Sequence, residues 1–471
     1  MPNQPTDIPA PTPPRSADVL VVGAGIAGLA CARELSRRGI HAIVLEARDR
    51  VGGRLLNSEC DGDVIELGGQ FLGPGQDRVY ALAAELGATT CATHRAGSNL
   101  IETGRGGLRR YRGAVPRLAP HVLLDVSAAQ RRFERLARTV DPEAPWRTPG
   151  AAELDAATVA TWIRRTLRTP DGRRLFTLAC EAVWSCQPSE LSLLHALFYA
   201  RAAGSFDALI STENGAQQDH VVGGAQMLAI RMAEQLPGQV HLGSPVRRIE
   251  HSDRSVRVTT ADETVWRARH VVVAVPPTLA GRIVYEPPLP PDRDALTQRL
   301  PMGSVVKCVA VYSEPFWRRH GLSGQATSLR GPLGVVYDST PEHTGRGVLL
   351  GFVEGAAARA HARLTQERRR AAVVAQLSRL FGDRAAEPRH YVEQDWTAER
   401  WSRGGYAALF PPGVWTHLGP ALRRPVGPIH WAGTETATRW CGYIDGALCS
   451  ADRVVREITA RLTPDGDHAV V

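Results

Sequence analysis

After Asp18 the chain runs Val-Leu-Val-Val22, an unbroken apolar stretch of the kind a strand shows when both its faces are covered. Residues 27–38 then place apolar positions at helical spacing, and His41-Ala-Ile-Val-Leu45 reads as a second strand, which together make a βαβ unit. Arg269-His-Val-Val-Val-Ala-Val275 is a further buried strand, stopped by Pro276-Pro277 because proline cannot donate to a ladder. Near the end, Ile429-His-Trp-Ala432 precedes a turn and a helical segment over Ala447–Leu462. Between these, 151–235 and 358–381 have helical character, whereas 305–312 and 347–354 read as strands. Strands suited to a nucleotide domain thus open the chain, recur in its middle and close it. The pattern predicts an α/β fold: a discontinuous, doubly wound, Rossmann-like domain over 17–92, 222–304 and 400–462. The intervening 93–221 and 305–399 would form a second, substrate-binding domain of mixed sheet and helices. Residues 1–16, Pro-rich and polar, are expected to be disordered, and 463–471 to be a flexible tail. No internal repeat is present.

With 471 residues the chain can build two cores, since a domain usually takes roughly 100–200 residues. Its eight cysteines contain no CxxC pair, so they read as buried thiols in a reducing compartment. The net charge of +8 with pI near 9.3 is modest for 51 kDa, and the basic stretch Arg105-Gly-Gly-Leu-Arg-Arg-Tyr-Arg112 is short. Without a recognisable nucleic-acid module this is a solvated Arg-rich surface, and no nucleic-acid partner is expected. No run approaches the roughly 20 apolar residues needed to cross a bilayer, and the N-terminus lacks the pattern of a signal peptide. The expectation is a soluble, cytoplasmic protein with no membrane partner; oligomeric state stays open, a homodimer being one expectation. One compositional detail changes the picture. Of 56 basic residues a single one, Lys307, is lysine, and every other is arginine. A bias of that kind replaces lysine wherever arginine serves equally, so the survivor marks a place where a compact ammonium or a titratable amine is needed.

The chemistry begins with Gly23-Ala-Gly-Ile-Ala-Gly28, which follows a strand, opens a helix and is followed by Glu46 at the end of the next strand. Gly23 permits the tight turn, Gly25 lets a pyrophosphate approach the backbone, and Gly28 lets helix and strand pack closely. Phosphates would sit at the helix N-terminus, with Glu46 on the ribose hydroxyls. The following Arg48-Asp-Arg-Val-Gly-Gly-Arg54 adds a second glycine turn, so that Arg48, Gly53 and Arg54 can grip more of an extended dinucleotide. Glu66-Leu-Gly-Gly-Gln-Phe71 supplies Gly68, Gly69 and Gln70, backbone on which a flat ring could rest. Zinc spacing, HExxH, GxSxG and Walker sequences are all missing, and no metal is expected.

With these motifs in order, the chain resembles the flavin monoamine oxidase family nearly end to end. Residues 18–79 match that family's adenosine- and pyrophosphate-binding segment. Trp431-Ala-Gly-Thr-Glu-Thr-Ala-Thr-Arg-Trp-Cys-Gly-Tyr-Ile-Asp-Gly446 matches its C-terminal signature, and Leu209–Gln218 and Phe410-Pro-Pro-Gly413 match as well. The resemblance implies FAD, with Gly433 and Glu435 along the ribityl and pyrophosphate region, Ile444 beside the ring and Val246 touching adenine. It implies catalytic roles for three residues. Tyr406 and Tyr443 would stand on either side of the amine, an electron-rich slot for its nitrogen. Lys307 would reach flavin N5 through a water and favour negative charge as oxygen is reduced. Ile210, Gln217 and Trp184 would face the substrate. Members of the mammalian type tether the flavin through a Cys just before the first tyrosine; Gly405 stands there, which implies noncovalent FAD. The implied reaction oxidises an amine to an imine, which hydrolyses to an aldehyde or ketone, and reduces O2 to hydrogen peroxide. No side-chain base is evident, so the amine would react in its neutral form. L-Amino-acid oxidation, polyamine oxidation with Glu213 and Asp219 as distal acids, and a non-oxidative flavin scaffold or isomerase are the alternatives.

Overall fold

The computed structural model describes residues 15–104, 106–113, 116–341 and 344–462. Residues 1–14 and 463–471, read above as disordered and flexible, lie outside these, as does Arg105 of the basic stretch. Arg15–Ser16, counted in the disordered segment, instead pair in parallel with Trp266–Arg267 as an edge strand.

Eight elements position the site: β1 (Val19–Val22), α1 (Ile26–Arg37), β2 (Ala42–Leu45), β3 (His270–Val273), β4 (Val305–Tyr312), β5 (Gly347–Glu354), β6 (Ile429–Trp431) and α2 (Ile444–Leu462). β2, β1, β3 and β6 lie side by side in a wholly parallel sheet, extended at its β2 edge by Val240–His241. Its members come from the first, middle and last parts of the chain. The alternation along each strand accounts for the two layers around it. Val19, Val21, Ala42, Val44 and Val272 pack on α1, α2 and the helix Gln226–Glu234. Leu20, Val22, Ile43, Leu45, Val271 and Val273 pack on a neighbouring mixed sheet, whose three inner strands are antiparallel and contribute Ile249, Val258 and Trp266. Each such buried side chain contributes about 1.5–3 kcal/mol over an exposed one, which is why these short strands can be continuously apolar. α2 begins three residues before the expected Ala447, at Ile444.

The second sheet has seven strands, with β4 between His390–Asp395 and β5, antiparallel to both. It is mixed, because Leu322–Ser328 pairs in parallel with Ser98–Glu102. Along β4 one row (Val306, Cys308, Ala310, Tyr312) packs on the helix Gln366–Phe381. The opposite row holds Val305, Val309 and Val311, and Lys307 is the one polar member of it. A further cluster, built largely from helices between 120 and 210 and the segment 408–422, packs against Tyr443.

None of the eight cysteines is in a disulfide; Cys91 and Cys449 are half-buried and the rest are buried. No helix among the described residues is long and apolar enough to cross a membrane.

Candidate active site

At the carboxyl ends of β1 and β2 the chain turns through Gly23 (φ +103°) into α1, whose first turn has no side-chain cap. Its amide N–H groups are therefore left for whatever occupies the cavity in front of them. A Cβ on Gly28 would fall 2.0 Å from the Gly23 carbonyl oxygen, so this glycine serves the helix–strand contact and does not line the cavity. Glu46 is buried, its two oxygens accepting from the amides of Ala24 (2.7 Å) and Arg48 (2.9 Å). Arg48 reaches across to Glu399 and to Ser402 Oγ (2.8 Å), tying the second βα turn to the last third of the chain.

A single cavity runs from this end past the backbone of Gly53, Gly68 and Gly69 to β4. Its walls include Gly23, Gly25, Glu46, Arg48, Gly53, Arg54, Val246, Gly433 and Ile444, and at the other end Lys307, Tyr406 and Tyr443. Two glycines let the backbone of its wall pack closely: a Cβ on Gly53 would meet Gly25 Cα at 3.2 Å, and one on Gly68 would meet the Leu56 amide nitrogen at 2.4 Å. The Arg54 guanidinium donates to both oxygens of Glu435 and to the carbonyl of Tyr406 (2.8 Å). Arg54 holds the Glu435 carboxyl below its ordinary range although burial pushes it up.

Lys307 is fully buried, its Nζ donating to the Gly68 carbonyl (2.7 Å) and to Gln70 Oε1. Burial pushes the ammonium down from its usual range, and the Glu66 carboxylate partly opposes this. Glu66 itself accepts from the Ala225 amide and is pushed up by its own burial. The Tyr406 ring packs edge-on to Phe352 at 5.8 Å, and its hydroxyl donates to Glu354 Oε1 at 2.9 Å. Tyr443 packs edge-on to Trp440 at 5.1 Å and near Tyr199.

Most of the residues picked from sequence converge here, and six do not reach the cavity wall. Gly28 packs behind it, as above. Gln70 holds Lys307 from behind and donates to Ser339 Oγ; Glu435 holds Arg54 from behind. Trp184 is core: its ring packs on Phe206 and Tyr199 in the helical cluster. Gln217 donates to the Leu209 carbonyl, with its Oε1 buried and unpartnered among the described residues. Ile210 is exposed. Neither acid weighed for a polyamine reaches the cavity, since Glu213 pairs with Arg95 at the surface and Asp219 accepts from Tyr80. Sequence reasoning missed the cavity residues Phe352, Trp396, Trp401 and Ser402. An apolar strand and a Trp-rich loop carry no signal for them, because their partners are remote in sequence. Cys308, His361 and Glu393 bring potential ligand atoms within 4.8 Å of one another on the far side of β4, but Glu393 is already bonded to Arg369 and Tyr391.

The sequence description of flavin containing amine oxidoreductases matches residues 26–459. The chain is 46% identical over 450 residues to AofH of Mycobacterium tuberculosis, named as a flavin-containing monoamine oxidase, covering 96% of this chain and 98% of the relative. It is 37% identical over 471 residues to an L-amino acid dehydrogenase of Synechocystis, with 98% of each covered. Among solved structures, wild-type putrescine oxidase bound to putrescine superposes with a TM-score of 0.92 at 35% identity, covering 95% of this chain and all of that one.

Proposed function

The chain belongs to the flavin containing amine oxidoreductase family, and from that premise we propose that it holds FAD noncovalently in the long cavity and oxidises a simple amine between Tyr406 and Tyr443. It is a flavoprotein oxidoreductase that converts an amine to an imine, with oxygen as acceptor. The observation behind the finer reading is that one cavity joins the glycine turn and Glu46 to Lys307 and the paired tyrosines. The residues fit a dinucleotide: uncapped amides at α1 suit a pyrophosphate, Glu46 suits a ribose, and the Gly53 and Gly68 backbones admit a flat group without side-chain obstruction. Bound there, FAD supplies the acceptor for a hydride equivalent and passes it on to oxygen.

The protein's own residues do the rest. Tyr406 and Tyr443 offer aromatic faces that orient the amine by its nitrogen. Arg54, fixed by Glu435, holds the Tyr406 carbonyl and so fixes that side of the slot. Lys307 points its amine at the inner end of the cavity, aimed by Gly68 and Gln70, and supplies a positive charge there while it is protonated. Gly405 offers no sulfur for a thioether beside Tyr406. The likeness to an L-amino acid dehydrogenase raises the question of an arginine for a carboxylate. The cavity-lining arginines, Arg48 and Arg54, are both committed to acids, Glu399 and Glu435, which favours an amine lacking a carboxylate.

An amine added without oxygen should bleach the yellow protein, and air should restore the colour with release of peroxide. Colour unmoved by a panel of primary, secondary and diamine substrates would reject this reading. Acid precipitation should leave flavin in the supernatant; a yellow pellet would mean a covalent bond.

A further inference from the structure

β5 ends in a carboxylate that the proposed reaction has not used. In the β4–β5 register Lys307 faces Phe352 and Val305 faces Glu354, so alternation puts Lys307, Phe352 and Glu354 on one face of the sheet. Glu354 lies one pair beyond Lys307 along that face, 4% exposed, with Oε1 accepting from the Tyr406 hydroxyl at 2.9 Å.

No arginine, lysine or histidine forms an ion pair with Glu354 among the described residues. A buried carboxylate without a counter-ion is costly, and structures seldom keep one unless something supplies the charge. The groups that face it are of the wrong sign or neutral: Glu181 from the helix Pro170–Trp184, the phenols of Tyr406 and Tyr337, and Gln187, which donates to Glu181. Lys307 on β4 is bonded to Gly68 and Gln70, and Arg359, just past β5, pairs with Glu190. Glu354 does not itself line the cavity; its link to the wall is the Tyr406 hydroxyl.

Resting on the reading of Tyr406 as a wall of the amine slot, we propose that Glu354 is the anionic half of a cation subsite: acting through the Tyr406 hydroxyl, it draws the protonated amine into the slot and positions that ring. A monocationic amine satisfies it, and no second charge on the substrate is required. Burial and the neighbouring Glu181 push the Glu354 carboxyl up to about 8, so the empty site is largely protonated at neutral pH. Binding a cation favours the ionised form and expels that proton. Cation affinity therefore rises with pH until Glu354 is ionised in the free protein, and then levels off.

A quaternary ammonium ion separates this from titration of the amine itself, because its own charge never changes. Binding of benzyltrimethylammonium to the FAD-loaded protein is read by calorimetry across pH, with benzyl alcohol as the uncharged control. The wild type should tighten by about tenfold or more as pH rises through about 8. Glu354→Gln, which keeps an acceptor for the Tyr406 hydroxyl but removes the charge, should bind the cation about tenfold more weakly at high pH, with a flat profile. Its affinity for benzyl alcohol should not change. Glu181→Gln should keep the slope and move it to lower pH. The proposal is overturned if Glu354→Gln keeps the wild-type slope, if the slope vanishes in Glu181→Gln instead, or if Glu354→Gln weakens the alcohol as much as the cation. Bleaching of the wild type by an amine tests the parent reading separately, so the two can fail independently.

Discussion

Replacing Lys307 by methionine is expected to slow the reaction with oxygen by roughly a hundredfold, the usual scale for removing one preorganised electrostatic contact to developing charge. FAD should stay bound, because the contacts proposed for the dinucleotide, the α1 amides and Glu46, lie at the other end of the cavity. The charge is what matters: Met fills the same slot in the Val305–Val311 row, with Phe352 alongside, at little packing cost. The pH dependence carries a distinct signature. Burial lowers the Lys307 ammonium from its ordinary range, and its charged form exists only below that lowered pKa. The oxygen step of the wild type should therefore decline as pH rises through it, well before an ordinary lysine would titrate, while Lys307→Met shows no such decline. Stopped-flow mixing of amine-reduced protein with oxygen measures both. Equal rates in the two proteins would remove Lys307 from the oxygen step.

The second large effect concerns stability and cofactor retention together. Arg54→Ala leaves the Glu435 carboxylate, 2% exposed, with no countercharge, which should lower the unfolding free energy by about 3 kcal/mol. The Tyr406 carbonyl loses its donor in the same change, so FAD content should fall as well. In the wild type Glu435 has a depressed pKa, so its contribution is present above the unfolded-state value and lost as pH falls through the folded one. In Arg54→Ala the sign reverses. Burial alone then raises the Glu435 pKa, so the deficit should grow as pH rises and shrink on acidification. Adding Glu435→Gln to Arg54→Ala should recover much of the loss, since a neutral amide is far cheaper to bury than an unpaired charge. Chemical denaturation at several pH values follows this; a pH-independent deficit would show that packing and not charge is at stake.

The sequence was most legible where structure is local. Unbroken apolar runs marked β1, β2, β3, β4 and β5 because strands covered on both faces have no other way to look. Lys307 stood out for a compositional reason, and the glycine turns for a conformational one. What escaped notice depends on register and on distance along the chain. Glu354 looks like the polar end of an apolar strand until the β4 pairing sets it opposite Val305 and beneath the Tyr406 hydroxyl, 52 positions away. Arg54, expected along an extended dinucleotide, does line the cavity, but its bond to an acid 381 positions on could not be seen in the sequence. Trp184 illustrates the converse: a large aromatic expected to face the substrate, it is absorbed by the helical core through Phe206 and Tyr199.

The order of the strands has a consequence for biosynthesis. β6, Gly433, the Glu435 that secures Arg54, Tyr443 and α2 are made after every other part of the cavity, yet they complete the parallel sheet and one wall of the cavity. A nascent chain that has not yet reached β6 has the glycine turn and the Lys307 strand but no finished pocket to trap a dinucleotide. Flavin uptake should therefore follow synthesis of β6 and α2, and a truncation that stops short of β6 should yield colourless protein however much flavin the cell supplies.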